Sequence, residues 1–451
     1  MHNTIHVNSP EIKMETWPKQ GRSASSWYGP TATITTITTT TTCNMQLITR
    51  TLQIGGSIAG LMHTLALKSH GHSVIVLEMR SEQQLQARAA GLSLWPNAQQ
   101  LLQTYIPDVD LDGLLIRNPS FPIMDKDGNV LVDVPFQYDV RTSCWAGIHG
   151  LLRMACERHV DTHGPVAIRS GCSFTGLADC GSHMVVTYRD KAGSEHELTA
   201  DLVVGADGAR SKIRSIVLPE LKTEYMGYLA WRSYLPEDDA PQELKCTVQG
   251  KMPQCMLGGS YIVVYLSPDD HGSMRPGERV VEWCWYDACD AATPTFAEYM
   301  TDVNGVCHNS TVPSDLLRQE VWDAQIKRRQ SALSPLWQRI FQQSRPPLLT
   351  AVRAFDNTRA SFFNGKLLLV GEAFTQIRPH LGASCDIAAV SALHLPRVLS
   401  GEMPMRELET KVAKHAMEKA IGSKATGIFG MTGKWPDGFT AEGAAKFAEK
   451  L

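Results

Sequence analysis

The alternation of apolar and polar residues predicts a β-strand, a helix and a second strand near the start of the folded chain. The apolar segment at residues 47–54 predicts the first strand, residues 60–70 predict the helix, and residues 73–78 predict the second strand. A glycine turn separates the first strand from the helix, and Gly71 follows the helix as a stop signal. This order predicts a βαβ unit.

The rest of the chain mixes two kinds of pattern. Alternating apolar segments at about residues 110–140 and 225–290, broken by turn signals such as those at 127–129, predict antiparallel strands. A strand-turn-helix pattern returns at residues 367–371 and continues as a helix to about Leu399. Residues 401–451 predict helices, with a glycine-containing break at 427–438. The predicted fold class is therefore α/β, with parallel and antiparallel parts interleaved.

The first 44 residues differ from the rest of the chain, because they are polar, contain proline and end in a threonine-rich run. This composition predicts a disordered leader. The segment has neither the apolar core of a secretory signal nor the arginine-rich pattern of a transit peptide. Met45 stands just before the first predicted strand, so a start site placed too far upstream is an open alternative.

Length and composition favour small-molecule chemistry over other functions. A chain of 451 residues suffices for two or three domains. Hydrophobic residues at 43%, charged residues at 20% and a net charge of -3 argue against disorder and against a nucleic-acid-binding surface. Eleven scattered cysteines indicate neither disulfides nor a metal site and fit a reducing compartment. No apolar run is long enough to span a membrane. We expect a soluble, cytoplasmic body, with peripheral membrane contact left open.

A glycine-rich motif, GGSIAG, occupies residues 55–60 between the first strand and the first helix. Its position matches a dinucleotide-binding turn, in which the first glycine permits the sharp turn and the helix N-terminus faces a pyrophosphate. Ser57 replaces the usual middle glycine but is small. Glu78 ends the next strand, where its carboxylate can accept hydrogen bonds from ribose hydroxyls. At this point NAD and FAD both remain open, as does a plain glycine turn.

Two further motifs show the same pattern of a strand, a turn and a helix. The segment at residues 201–211 places Asp207 and Gly208 at the end of a buried strand, with Arg210 as a cation for phosphate. The segment at residues 365–383 places Glu372 after a strand glycine, and a Pro- and Gly-containing loop then leads into a helix. The free N–H groups of that helix would favour an anionic ligand. An ordinary Asp-Gly turn is the alternative for the second motif.

The three motifs, in this order and at these separations, resemble those of group A flavoprotein monooxygenases of the para-hydroxybenzoate hydroxylase fold. Local matches at residues 227–232 and 281–286 resemble the dihydroxypyridine hydroxylase branch and its fungal relatives of secondary metabolism. The resemblance, over about residues 45–400, implies a discontinuous Rossmann-like FAD-binding domain at 45–110, 141–225 and 350–400. It implies a substrate domain, a mixed or antiparallel sheet, at 111–140 and 226–349, and C-terminal helices at 401–451.

The resemblance also implies which residues contact FAD. Glu372 stands where the family usually has Asp, so its carboxylate is one methylene farther from the backbone. The arginine that often contacts the flavin is not evident near residues 145–155, where Ser143, Trp145 and His149 stand and Arg153 follows one turn later. The implied cofactor contacts are Gly55, Ser57, Ile58, Ala59, Gly60, Glu78, Met79, Arg80, Asp207, Gly208, Arg210, Gly371, Glu372, Pro379, Gly382 and Ala383.

The candidate catalytic residues are His380 and Arg232. His380 lies in the loop expected beside the flavin, where a histidine of near-neutral pKa would relay a proton or orient a substrate hydroxyl. A histidine that only caps the loop is the alternative. Neighbouring aromatic residues on the strands either line the substrate cavity or pack in the core; they are Trp231, Trp283, Trp285 and Tyr286, with Tyr261 and Tyr265 as further candidates.

The reaction and its partners are also implied by the resemblance. It implies FAD, NADPH or NADH as a transient co-substrate, and transfer of one oxygen atom from O2 through a flavin C4a-hydroperoxide. We expect a small aromatic or polyketide-like substrate, ring hydroxylation as the reaction, no nucleic-acid partner, and a monomer or homodimer. Baeyer-Villiger insertion, epoxidation and flavin binding without turnover remain open.

Overall fold

The computed structural model describes residues 13–14, 49–86 and 91–438, so the predicted leader at 1–44 lies outside the described residues except for 13–14. In chain order the strands are β1 (Lys13–Met14), β2 (Arg50–Ile54), β3 (Ser73–Glu78), β4 (Gly91–Leu94), β5 (Ile116–Met124), β6 (Val130–Cys144), β7 (Val166–Ser170), β8 (Ser173–Asp179), β9 (Met184–Arg189), β10 (Glu195–Ala200), β11 (Leu202–Gly205), β12 (Glu224–Pro236), β13 (Gln254–Met256), β14 (Ser260–Ser267), β15 (Val280–Ala288), β16 (Thr311–Val312), β17 (Leu348–Ala354), β18 (Ser361–Phe362) and β19 (Leu367–Leu369).

The helices, in the same order, are α1 (Ile58–Ser69), α2 (Glu82–Gln86), α3 (Pro96–Tyr105), α4 (Trp145–Glu157), α5 (Lys212–Val217), α6 (Gln242–Val248), α7 (Pro294–Tyr299), α8 (Gln319–Arg329), α9 (Pro335–Gln343), α10 (Ser384–Leu399) and α11 (Met405–Thr432). Short 3-10 turns at Gly371–Ala373 and Pro379–Leu381 lead into α10. No helix in the described ranges is long and apolar enough to cross a membrane.

A six-stranded sheet, in the order β18-β19-β11-β2-β3-β7, contains all three motif strands. Strand β2 pairs in parallel with β3 and β11, and β11 pairs in parallel with β19. Parallel strands that are covered on both faces are apolar without interruption, as the buried run at residues 74–77 illustrates. Helix α10 and the strands β8, β9 and β10 contribute to the same apolar core. This arrangement confirms the predicted Rossmann-like part of the fold.

A nine-stranded sheet, in the order β16-β17-β12-β15-β14-β13-β5-β6-β4, forms the second part. Its pairs are antiparallel except where β13 lies parallel to β5. The two regions that alternate in the sequence, around residues 110–140 and 225–290, therefore meet in one sheet. This confirms the predicted mixed or antiparallel sheet interleaved with the parallel one.

The two faces of the nine-stranded sheet have different roles, because side chains alternate along a strand. Trp231, Trp283 and Trp285 lie on one face, where they are buried in a core completed by α8 and α9. Their alternating neighbours, among them Tyr228 and Tyr286, belong to a separate cluster. The tryptophans are thus core residues, whereas the opposite face carries a smaller cluster that is rich in tyrosine.

Helices α3, α10 and α11 meet at the carboxylate of Asp386, which is completely buried. Asp386 accepts hydrogen bonds from the backbone N–H groups of Asn97 at 2.8 Å and Ala98 at 3.1 Å, in the first turn of α3. Its other oxygen lies 2.8 Å from Nε2 of His415 on α11. Burial raises the pKa of Asp386, but hydrogen bonds from His415 and Asn97 outweigh it, so the pKa lies below its ordinary value of 3.8.

We predict that Asp386→Asn destabilises the protein by about 2 kcal/mol at neutral pH, because an amide replaces a buried carboxylate that caps a helix and faces His415. A carboxyl group whose pKa is lowered by folding stabilises the fold above its unfolded-state pKa, and loses that contribution as pH falls through the folded value. Urea unfolding should therefore show a difference from wild type that shrinks below about pH 4. The exposed Asp315→Asn is the matched control; equal stability of the two variants would contradict the role of Asp386.

The C-terminal helix α11 differs from its prediction. The sequence predicts a break from Gly427 onwards, yet α11 continues through Gly427 and Gly430 to Thr432, and ends at Gly433 with a left-handed φ of 72°. The two interior glycines pack closely against neighbouring side chains instead of interrupting the helix. Residues 439–451 lie outside the described part of the chain.

Candidate functional site

The glycine turn after β2 brings three segments together at distances that no side chain would tolerate. Gly55 has a φ of 100°, and a Cβ atom there would lie 2.3 Å from the carbonyl oxygen of Ala206. A Cβ atom at Gly60 would lie 1.9 Å from the carbonyl oxygen of Gly55. Ser57 is the N-cap of α1 and makes no side-chain cap hydrogen bond. The first N–H groups of α1 therefore face a cradle formed only by backbone, which suits a pyrophosphate.

The carboxylate of Glu78 lies beside this cradle and is almost fully buried. One oxygen accepts a hydrogen bond from the N–H of Gly56 at 2.8 Å, and the other accepts from N–H and Nε of Arg80, at 2.9 and 3.2 Å. Met79, between them, is 65% exposed. Glu78 is thus fixed at the end of β3, with lone pairs left for the hydroxyls of a ribose.

His149 occupies the region where the family's arginine is absent. Its Nε2 lies 3.0 Å from the carbonyl oxygen of Gly56, and its ring stacks on Trp145 with the centroids 4.4 Å apart. The guanidinium of Arg80 lies 5.8 Å above the ring of Trp145. Arg153 points away, to Glu82 and Glu157 on the surface. The sequence places His149 and Trp145 in this region but does not predict that their rings stack beside the glycine turn.

The second motif places Asp207 near the cradle but gives its carboxylate another partner. The two oxygens of Asp207 accept hydrogen bonds from Oγ of Ser211 at 2.5 Å and from the N–H of Ile213 at 3.2 Å. Asp207 therefore stabilises the first turn of α5, whose N-cap is Ser211. The sequence does not predict this role of Asp207. Gly208 has a φ of 77°, and Arg210 is exposed. The backbone at 206–208 lies against Gly55, so this segment can approach a ligand through its main chain.

Arg214 joins the second and third motifs and is missing from the predicted contacts. It is 6% exposed, and its guanidinium donates to the carbonyl oxygens of Glu372 at 3.2 Å, Ala373 at 3.1 Å and Ala209 at 2.5 Å. It also lies 4.1 Å above the ring of Phe355. A buried arginine that donates only to carbonyl groups fixes the two loops relative to each other.

The third motif places Glu372 in a short 3-10 turn beside the N-terminus of α10. Gly371 has a φ of 56°, and a Cβ atom there would lie 2.8 Å from the Cβ of Ala59, so α1 packs directly on this turn. Glu372 is exposed to solvent. Desolvation by the neighbouring protein raises the pKa of its carboxyl group against the opposing effects of Ser384, Arg232 and Arg214. A carboxylate placed there can accept hydrogen bonds from a ribityl chain.

The loop between β19 and α10 comes next along the chain. Pro379 opens its 3-10 turn, and Gly382 has a φ of 60° and lies so close to Ser93 that a Cβ atom would be 2.9 Å from Oγ. Nε1 of Trp95 donates to the carbonyl oxygen of Leu381 at 2.9 Å. Ala383 is buried and precedes α10, whose N-terminus has no side-chain cap. The free N–H groups of α10 therefore lie close to Glu372.

His380 is buried in a cluster of phenols on the face of the nine-stranded sheet opposite the tryptophans. Its Nε2 lies 2.7 Å from the hydroxyl of Tyr228, and its Nδ1 lies 2.5 Å from the hydroxyl of Tyr261. Burial, together with the nearby cations of Arg378 and Arg232, lowers the pKa of His380 to about 3. The sequence-based expectation of a near-neutral pKa is therefore wrong, because the ring is desolvated.

Arg232 lies on the same face of β12 as Tyr228, next to Cys284 on β15. Its Nε donates to Sγ of Cys284 at 3.4 Å, and this is the only hydrogen bond of the Arg232 side chain within the described residues. Burial alone would lower the pKa of Arg232, but the neighbouring Cys284 and Tyr286 outweigh it and raise the pKa. Arg232 also acts on both Glu372 and His380 electrostatically. The positive charge of Arg232 therefore lies near both Glu372 and His380.

Comparisons with known proteins agree with this arrangement. Residues 225–354 match a family model described as FAD binding domain-like. The chain is 27% identical over 351 residues to 2,6-dihydroxypyridine 3-monooxygenase of Paenarthrobacter nicotinovorans, covering 75% of this chain and 81% of that protein. It is 30% identical over 276 residues to 2-heptyl-3-hydroxy-4(1H)-quinolone synthase of Pseudomonas aeruginosa, covering 56% of this chain and 67% of that protein.

The fold also has a close counterpart among solved structures. The structure of 2,6-dihydroxypyridine-3-hydroxylase from Arthrobacter nicotinovorans superimposes with a TM-score of 0.71 at 23% sequence identity. The match covers 87% of this chain and 95% of that one. At this sequence identity the likeness shows the fold and does not assign roles to individual residues.

Proposed function

Because the chain belongs to the family of FAD-dependent monooxygenases with the para-hydroxybenzoate hydroxylase fold, we propose that it hydroxylates an aromatic ring that already carries a hydroxyl group. One oxygen atom of O2 enters the ring while NAD(P)H is oxidised. The observation that carries this proposal is the cation of Arg232, which lies near Glu372 and His380 and, in the described chain, has no carboxylate hydrogen-bonded to it.

The residues of the cradle fit FAD. Gly55 and Gly60 leave room for a pyrophosphate at the N-terminus of α1, where added side chains would collide with backbone. Glu78 would hold the adenosine ribose, and Glu372 would hold the ribityl chain. The main chain at 379–383 would then border the flavin ring and the free N–H groups of α10. When bound, the flavin supplies hydride acceptance and oxygen activation; the protein binds, orients and excludes water.

Arg232 supplies the recognition of the substrate in this proposal. A buried guanidinium with free N–H donors binds an anionic oxygen through charge-assisted hydrogen bonds. A phenolate or a ring hydroxyl of low pKa provides such an oxygen, and its negative charge makes the ring electron-rich. The substrate class we propose is therefore a hydroxylated benzene, pyridine or quinolone, or a secondary metabolite that contains such a ring.

His380 serves this site as a neutral group. A ring with a pKa of about 3 carries one N–H and one free lone pair at neutral pH, and both are used by Tyr228 and Tyr261. The cation of Arg378 lies near Tyr228 and opposes the effect of burial, which raises the pKa of that phenol. His380 therefore acts by orienting two phenols at the substrate face, and we assign it no charge change between about pH 5 and 8.

The proposed function is tested with purified protein, FAD, NADPH or NADH, and a panel of hydroxylated benzenes, pyridines and quinolones under 18O2. We expect at least one compound to stimulate NAD(P)H oxidation and to gain one labelled oxygen atom, and NMR of the product to show a new ring hydroxyl. Anaerobic reactions are the control. NAD(P)H oxidation at one rate with and without every compound, and no labelled product, would contradict the proposal.

A further inference from the structure

The backbone of α11 lies directly against the rings of His380 and Tyr261. A Cβ atom at Gly427 would be 2.3 Å from Nε2 of His380, and one at Gly430 would be 2.4 Å from Cε1 of Tyr261. Glycine is among the least favourable residues in a helix interior. Two such glycines in a helix that nevertheless continues indicate that close approach to these rings is what the positions require.

Ser423 extends the same contact along the helix. It is completely buried, and its Oγ donates to the carbonyl oxygen of Arg378 at 2.5 Å. Residues four apart lie on one face of a helix, so Ser423 and Gly427 approach the loop together. Ser423 binds the main chain two residues before His380, and the backbone of Gly427 lies against one side of the His380 ring.

The other sides of the His380 ring face phenols. Tyr286 meets the ring edge to face, with the centroids 4.6 Å apart. The hydroxyl of Tyr261 is fully buried, and His380 is its only hydrogen-bond partner in the described chain. A buried hydroxyl that fails to donate is costly, so Tyr261 donates to Nδ1. The neutral ring then donates from Nε2 to the oxygen of Tyr228.

We propose that Gly427, together with Ser423, is a positioning residue of this site. The helix backbone at 427 confines the His380 ring to the plane in which it links Tyr261 to Tyr228, and Ser423 fixes the loop that carries the ring. Only the effect on turnover rests on the proposed function, because the contact between α11 and His380 exists independently of any reaction.

A double-mutant cycle tests the contact itself. We expect Gly427→Ala to lower the Tm by several degrees in the wild-type background, because the methyl group displaces His380 or the helix. In the His380→Ala background the same change should cost nothing, since the space is free. The control is Gly422→Ala, whose methyl group would meet only the flexible end of Leu381, at 3.2 Å. An equal loss of Tm in both backgrounds, or no loss in wild type, would overturn the proposal.

A second measurement follows the ionisation of His380. The charged and titratable groups that face the ring are Arg378 in its own loop, Arg232 and Tyr228 on β12, Tyr261 on β14 and Tyr286 on β15, while α11 presents Ser423 and Gly427. In Gly427→Ala, water reaches the displaced ring, so its pKa should rise from about 3 towards the ordinary 6.5. NMR titration should then show a new His380 transition between about pH 5 and 7.

Turnover supplies the third readout. With FAD content equal to wild type, Gly427→Ala should lower kcat on the hydroxylated-ring panel by about 10- to 100-fold, because the phenols lose their fixed orientation. An unchanged kcat, or a His380 titration like that of wild type, would overturn the positioning role. If no panel compound is oxidised by wild type, the proposed function fails, while the Tm cycle and the titration still decide the inference.

Discussion

Purified Gly60→Ala protein is expected to contain little or no flavin, with FAD affinity reduced by about 100-fold or more. The added methyl group would lie 1.9 Å from the carbonyl oxygen of Gly55. The turn and α1 must separate to relieve this collision, and the N–H groups of α1 then no longer converge on the pyrophosphate. Flavin absorbance per chain and titration of the apoprotein with FAD measure the effect.

The matched control for this variant is Gly150→Ala in α4, where a Cβ atom would meet nothing within 4 Å. Both substitutions place alanine in a helix, where it is intrinsically favourable. We expect Gly150→Ala to retain full flavin content and a Tm at or above that of wild type. Full flavin content in Gly60→Ala would show that the glycine turn is not the pyrophosphate cradle.

Replacement of Arg232 by Met is expected to lower kcat/KM for ring-hydroxylated substrates by about 10- to 100-fold, with flavin content unchanged. Methionine keeps much of the length of the side chain and removes its charge. The loss corresponds to one charge-assisted hydrogen bond, worth about 1.5–3 kcal/mol. Steady-state kinetics and flavin absorbance on the same preparation separate recognition of the substrate from binding of the cofactor.

Arg353→Met is the control for Arg232, because Arg353 lies on β17 in the same sheet and donates to the carbonyl oxygen of Asn309. Its guanidinium lies 5.9 Å above the ring of Tyr225. Tyr225 is not one of the buried tyrosines that surround His380. We expect wild-type kinetics from this variant. Equal kinetics for both variants would remove Arg232 from the substrate site.

Elements whose causes are local could be predicted from the sequence. The strand at residues 73–78 has the predicted bounds, and α1 begins and ends within two residues of its prediction. The periodicity of the hydrophobic residues and the position of the glycine turn determine the bounds of this strand and of α1. The break predicted at residues 427–438 begins at Gly433 instead of Gly427, because Gly427 contacts His380, which lies 47 residues earlier in the chain.

The candidate site also contains features that the local sequence predicts and features that depend on how distant segments pack. The backbone cradle at Gly55 and Gly60 and the carboxylate of Glu78 can be predicted from local sequence, because they depend on the turn and the strand end alone. The carbonyl contacts of Arg214 depend on how separate segments pack, and no spacing signals them. The N-cap of α5 did have a local signal, because Ser211 directly precedes that helix, but the contact of Asp207 with it did not.

The face of the sheet that carries Arg232, where we propose that the substrate binds, could not be identified from the sequence alone. The alternation of Trp231 and Arg232 indicates that they point to opposite sides of a strand, but not which side is the core. Packing of α8 and α9 on the tryptophan face decides this and leaves Arg232 on the opposite face, with Tyr228. The low pKa of His380 likewise arises from burial between the sheet and α11, which the sequence does not show.

The central claim is that the three strand ends form one FAD site, and the cofactor content of the purified protein tests it most directly. The protein, saturated with FAD and freed of excess, should show a flavin absorbance spectrum and release about one FAD per chain on denaturation. A colourless protein that retains no FAD and binds NAD instead would contradict the account.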